Sequence, residues 1–136
     1  IYTELPDMTK QLLFIEKLIK IDPNTIIFGH SLGALLGMRL AEKYLFDKLF
    51  LISGWDYDDL QIAQATFWPN KINHALIITH VKNIYVISSD NDIYYTANAG
   101  KEMAERFGAK FILIKGAGHF TDKDSITKIP EVLDYL

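Results

Sequence analysis

The sequence contains no cysteine. That removes disulfides, thiolate catalysis and thiolate metal sites together, and it fits a reducing compartment, with the cytoplasm as the default location. There is no basic cluster either: the formal net charge of −3 is spread along the chain. Nothing is arranged to neutralise nucleic-acid phosphates or to grip an anionic membrane, so neither is expected as a partner. No apolar run approaches the ~20 residues of a membrane helix. The 136 residues also show no internal repeat and no linker, and 49% are apolar against 23% charged. This balance excludes disorder and predicts one globular domain over residues 1–136. The first residue is Ile1 rather than Met, so the lack of a targeting signal carries little weight.

What is present is an alternation of two patterns. Residues 25–28, 48–52, 83–87 and 110–114 are near-continuous runs of Ile, Leu, Val, Phe and Tyr, the signature of parallel strands buried on both faces. Helical periodicity lies between them. Asp7 can cap a helix carrying Met8, Leu12, Ile15 and Ile19 on one face and ending near Pro23. Residues 32–44 are apolar nearly all round, as expected of a helix pinned to a sheet. Thr96 can cap a third helix that Gly108 stops, and a last helix is expected over 125–136, starting late because of Pro130. Residues 58–80 read as one or two helices interrupted near Trp68 and Pro69. The order predicts an α/β domain with a mostly parallel sheet, whose ligands sit beyond the carboxyl ends of the strands.

One such end carries Gly29-His30-Ser31-Leu32-Gly33, a G-x-S-x-G segment leaving a strand and entering a helix. In that context it predicts a nucleophile elbow. The tight turn strains Ser31 and lifts its hydroxyl above the sheet, the flanking glycines let strand and helix approach, and the Leu32 amide faces the place where an oxyanion would form. A helix-capping serine is the plainer alternative. A serine nucleophile needs a base and an acid, and both are found after later strands: His119 in the small-residue loop Lys115-Gly116-Ala117-Gly118-His119, and an aspartate in Ser88-Ser89-Asp90-Asn91-Asp92. Asp92 is the expected acid because the apolar Ile93-Tyr94-Tyr95 can anchor it, whereas Asp90 can simply end the strand. The order Ser, Asp, His is that of α/β-hydrolases. His30 is expected to order the elbow, and His74 and His80 to be surface or satisfied interior groups. Asp56, Asp58 and Asp59 read as a solvated loop rather than a metal site. Trp55, leaving the second strand, is placed either to line an acyl pocket or to fill the core.

The segments TIIFGHSLGALLGMRLAE, LISGWDYDDL and YVISSDNDIYYTANAGKEMAERFGAKFILIKGAGHF together resemble the small α/β-hydrolase family that contains retinoblastoma-binding protein 9 and its bacterial serine hydrolase relatives. The similarity runs from about residue 25 to residue 120, and its more specific parts are the elbow with its M-R-x-A-E and the closing G-H-F. The resemblance implies a three-layer α/β-hydrolase-like fold and a serine hydrolase needing no cofactor or metal. Ser31, Asp92 and His119 would form its triad, acting on a small-molecule or peptide ester or amide. Two departures stand out. Relatives commonly have proline just after the acid, where this chain has Ile93. They also begin with a strand and a glycine-rich loop that this sequence does not show, so an N-terminal strand and helix are expected to be missing or supplied by another chain. The second oxyanion donor belongs to that region; without it, weak ester turnover is expected. An exposed sheet edge would then favour a homodimer or a protein partner. The competing reading is a catalytically idle, hydrolase-like interaction module.

Overall fold

In a computed structural model, residues 7–58 and 62–136 are described. Residues 59–61, Asp59 among them, lie outside these. Four strands, β1 (Ile26–His30), β2 (Phe46–Ile52), β3 (Val81–Ser89) and β4 (Lys110–Ile114), form one sheet in the order β1-β2-β3-β4, with every pair parallel. The helices α1 (Met8–Leu18), α2 (Leu32–Ala41), α3 (His74–His80) and α4 (Ala97–Phe107) alternate with them. Among the described residues no helix is long and apolar enough to cross a membrane.

The expected caps form. Asp7 accepts from the Lys10 amide and Thr96 from the Ala99 amide, while Gly108 ends α4 in the left-handed region at φ 60°. A short 3-10 helix, Ile62–Phe67, and α3 occupy the region that reads as interrupted helix around Trp68 and Pro69. Arg39, buried on α2, explains the M-R-x-A-E pattern structurally. Its guanidinium donates to Glu42 (2.9 Å) on its own helix and to the Asn70 carbonyl (2.6 Å), tying α2 to the loop before α3.

Because side chains alternate across a strand, each central strand serves two cores. Leu49 and Leu51 of β2, with Ile84 and Val86 of β3, face the helices and pack with Leu35, Met38, Ile77, Met103 and Phe107. A fully buried leucine of this kind contributes about 1.5–3 kcal/mol. Phe50, Ile52 and Ile87 face the other way, against Ala117 and Phe120. On that side the in-register residues Phe28, Phe50 and Tyr85 stack as a ladder with ring centroids 4.6 Å apart at each step, and Tyr135 continues it at 5.1 Å.

Two expectations need correction. The outer strands are not buried on both faces: β1 and β4 are half-buried, and Phe28 at the end of the ladder is 49% exposed. The last helix does not form as an α-helix. Residues Asp122–Asp124 and Pro130–Tyr135 make 3-10 turns instead, with Pro130 at the first position. These turns and the residues between them supply the third layer by packing Ile126, Ile129, Val132 and Tyr135 on the sheet. A segment needing only one apolar contact per turn has little to gain from a longer helix.

Candidate active site

At the carboxyl ends of three neighbouring strands, the first residue beyond each strand is pinned to a carbonyl at or near the end of the next strand. The Ser31 amide donates to Ile52 O (2.9 Å), the Ser53 amide to Ile87 O (2.9 Å) and the Asp90 amide to Ile114 O (3.3 Å). Three turns therefore leave the sheet at one level, and the chemistry collects there.

Ser31 lies at φ 55°, ψ −122°, a backbone conformation that costs a non-glycine residue of order 1–3 kcal/mol. It persists because α2 is packed tightly on β1: a Cβ on Gly29 would stand 2.5 Å from the Gly33 carbonyl oxygen and 2.8 Å from the Ala34 Cα. Gly33 is different, with open space where its Cβ would be. Close approach at the elbow thus depends on Gly29, not on both glycines as the sequence pattern suggests. Ser31 makes no side-chain cap to α2, so its hydroxyl is not used as the plainer reading required. It lies 3.0 Å from His119 Nε2. His119 Nδ1 donates to Asp92 Oδ2 at 2.9 Å. A carboxylate can only accept, so the proton is on Nδ1 and Nε2 is left as the acceptor for the serine hydroxyl.

Asp92 is 1% exposed at its side chain. Burial pushes its carboxyl up, but donors outweigh that: His119 and Ser53 Oγ (2.7 Å) on Oδ2, and the Tyr94 (2.8 Å) and Tyr95 (3.2 Å) amides on Oδ1. Together they hold it below the ordinary aspartate value. The Ile93-Tyr94-Tyr95 segment anchors the acid through its amides, while the Ile93 side chain is 84% exposed. Asp90 does not reach the imidazole. Its Oδ1 accepts from the Gly116 amide (2.7 Å), and Asn91 Oδ1 accepts from the Gly118 amide (2.8 Å), while Ser89 Oγ accepts from the Ala117 amide (2.9 Å). The acid loop is stitched residue by residue to the histidine loop. Asp124 closes that loop from the other side by accepting from the His119 amide (3.0 Å), and it occupies the space a Cβ on Gly118 would need.

His30 spans the gap between the two halves: its Nε2 donates to the His119 carbonyl at 2.7 Å, so it orders the elbow against the histidine loop. The site opens into a cleft of about 750 Å³ lined by Ser31, Leu32, Trp55, Tyr94, Tyr95 and Thr121, among others. Trp55 is both things the sequence allowed, a buried aromatic and a cleft wall, stacked on Tyr95 at 4.3 Å. The Leu32 amide is the first of α2's donors with no acceptor inside the helix.

Asp56 differs from its sequence reading. Asp56 is not in a solvated loop; its side chain is 1% exposed, and it binds Arg106 Nε (2.7 Å) and Nη2 (2.6 Å) as well as His74 Nε2 (2.6 Å). His74 is thus a satisfied group, its partner carboxylate 18 residues away in the chain. His80 is a satisfied group, donating from Nδ1 to the Ala41 carbonyl (2.8 Å). Ser53 is the site neighbour that sequence reasoning missed; its one signal was its place directly beyond β2, as Ser31 stands beyond β1.

Comparison with known proteins places this geometry. The serine hydrolase family model matches residues 5–136. The chain is 29% identical over 113 residues to the serine hydrolase RBBP9 of Rattus norvegicus, covering 82% of this chain and 61% of that protein. It is also 29% identical over 119 residues to the putative hydrolase YdeN of Bacillus subtilis strain 168, covering 83% and 62%. The chain thus spans about three fifths of the length of these two relatives. The crystal structure of YdeN superposes with a TM-score of 0.78 at 23% identity over 96% of this chain and 74% of that one. A carboxylesterase structure from Nitrososphaera gargenis does so at 0.73 and 12% identity, over 98% and 72%. The fold is that of the α/β-hydrolases.

Proposed function

The chain belongs to the serine hydrolase family, and from that premise we propose that it cleaves ester or amide bonds through an acyl-enzyme on Ser31. The observation that carries this reading is the continuous line Ser31 Oγ, His119 Nε2, His119 Nδ1, Asp92 Oδ2, with contacts of 3.0 and 2.9 Å. His119 Nε2 takes the hydroxyl proton as Ser31 Oγ attacks the substrate carbonyl carbon. Asp92 keeps the imidazole in the tautomer that permits this and stabilises the imidazolium that results. The carbonyl oxygen becomes an oxyanion, towards which the Leu32 amide donates. The tetrahedral intermediate collapses, the C–O or C–N bond breaks, and His119 returns its proton to the leaving alcohol or amine. Water, deprotonated by His119, then attacks the acyl carbon and releases the acid and Ser31. The cleft wall of Trp55, Tyr94 and Tyr95 suits an apolar acyl group.

A second reading, the idle interaction module, is favoured by the half-exposed Phe28 at the open end of the aromatic ladder, on a strand that is an edge among the described residues. One experiment decides between the two. A fluorophosphonate probe should label the wild-type chain stoichiometrically and fail to label Ser31→Ala; a wild-type chain that does not label, or a Ser31→Ala chain that labels equally, removes the proposed mechanism.

A further inference from the structure

Ser53 is built for something other than packing. It is 2% exposed, its backbone is held at φ 43°, and its amide is locked to β3 through Ile87 O at 2.9 Å. A non-glycine residue in that region is strained, and such strain survives where the surroundings require the side chain to be placed there. The requirement is visible in its side-chain hydrogen bond. Ser53 Oγ donates to Asp92 Oδ2 at 2.7 Å, the same oxygen that accepts from His119 Nδ1. The β2 turn therefore reaches between the elbow and the acid and takes hold of the acid.

We propose that Ser53 is a positioning residue that fixes which carboxylate oxygen of Asp92 faces His119 and shares that oxygen's charge with the imidazole. The proposal rests on the acyl-enzyme reading for its catalytic consequence, but its structural content stands separately. Oδ1 is committed to the Tyr94 and Tyr95 amides, which fix one edge of the carboxylate. With these alone, the group can still rock about its Cβ–Cγ bond and move Oδ2 out of the imidazole plane. The Ser53 hydroxyl is the third point that stops this. It also competes for the lone pairs of Oδ2, so the carboxylate attracts the Nδ1 proton without taking it. No cation does that work at this acid: Ser53, the two amides and His119 are its hydrogen-bond partners among the described residues. The other groups around the imidazole are the His30 ring (5.0 Å between centroids), the Tyr94 ring (4.7 Å), the Tyr95 ring (6.4 Å) and Asp124 on the His119 amide. None of them contacts Oδ2.

The test uses two variants of the full chain, Ser53→Ala and Ser53→Gly. Both remove the hydroxyl, and the glycine also relieves the positive φ, so it remains folded if the alanine variant is compromised. The primary readout is the proton resonance of His119 Nδ1. It should move downfield in both variants, because Oδ2 no longer divides its lone pairs and accepts more strongly from the imidazole. Fluorophosphonate labelling should slow roughly tenfold, the factor carried by one hydrogen bond to a charged group. A role in packing alone predicts lower stability with the Nδ1 resonance unmoved; that result in both variants overturns the proposal, whatever the labelling rate. If the resonance moves while the wild-type chain fails to label, Ser53 still positions Asp92 and it is the acyl-enzyme reading that falls.

Discussion

Two aspartates in this molecule begin alike and end in opposite employment. Asp56 follows β2 and Asp92 follows β3; each side chain is 1% exposed, and each hydrogen-bonds a histidine. For both, burial pushes the carboxyl up and the surrounding donors more than reverse it, so both titrate below the ordinary aspartate range. The difference is the third partner. Asp56 is gripped by Arg106 through two hydrogen bonds, and a guanidinium does not give up its proton. Its charge is cancelled permanently, and His74, packed on Phe107 at 4.6 Å, serves as a further donor joining α3 to α4. Among the described residues, Asp92 has only neutral donors besides its histidine. Its charge remains available for the imidazolium of the proposed mechanism. A buried Asp–His pair is therefore not in itself an active site; what separates the two is whether a fixed cation has already answered the carboxylate.

The largest effect should come from removing the uncancelled charge. Asp92→Asn should keep the fold and lower the rate of an activated ester by ~10⁴-fold, the loss seen when a triad imidazole is left in the wrong tautomer; a loss under tenfold would mean that Asp92 is no more catalytic than Asp56. Next comes the cancelled one. Arg106→Met leaves Asp56 buried without its cation and should cost about 1–3 kcal/mol of stability near pH 7, less than a fully buried pair because the Arg106 side chain is 42% exposed, measured by urea unfolding, with the labelling rate of folded molecules unchanged. That penalty depends on pH in a definite direction. A carboxylate whose folded pKa is depressed contributes stability above its unfolded value, about 3.9, and loses it as pH falls through the folded value. In Arg106→Met burial acts on Asp56 with less opposition, so the gap between wild type and variant should be complete near neutrality and narrow as the pH approaches 4. A gap that stays constant down to pH 3.5 would show that Asp56 does not need the arginine as a counter-charge. The smallest effect belongs to the rejected acid: Asp90→Asn loses part of one contact to the Gly116 amide and should change the rate by no more than a few-fold, and a loss rivalling that of Asp92→Asn would reverse the assignment.

The sequence made one of these aspartates legible and hid the other. Asp92 could be singled out because a parallel sheet sends every strand's carboxyl end to one side, so that residues just after β1, β3 and β4 must meet however far apart they are in the chain. Asp56 obeys the same placement after β2, but its partners do not. His74 opens α3 and Arg106 closes α4, and they arrive at Asp56 only because both helices pack on the same face of the sheet. No local pattern announces such a meeting, and a run containing three aspartates reads naturally as solvated. Ser53 was hidden for a related reason: a serine at a strand end has many uses, and only the register of β2 on β3, Ile52 opposite Ile87, aims it at the acid loop.

What the sequence determined by itself was therefore everything governed by short range and by direction. The strand cores, the Asp7 and Thr96 caps, the Gly108 stop and the elbow are set by periodicity, capping chemistry and backbone sterics, which act over a few residues. Tertiary structure decided the rest. It left the outer strands half covered, turned the last helix into 3-10 turns against Phe50 and Ile87, and gave Asp56 a cation that Asp92 lacks among the described residues. Those outcomes depend on which side chains meet across the sheet and between helices, and a buried charge is defined by its neighbours in space rather than by its neighbours in the chain.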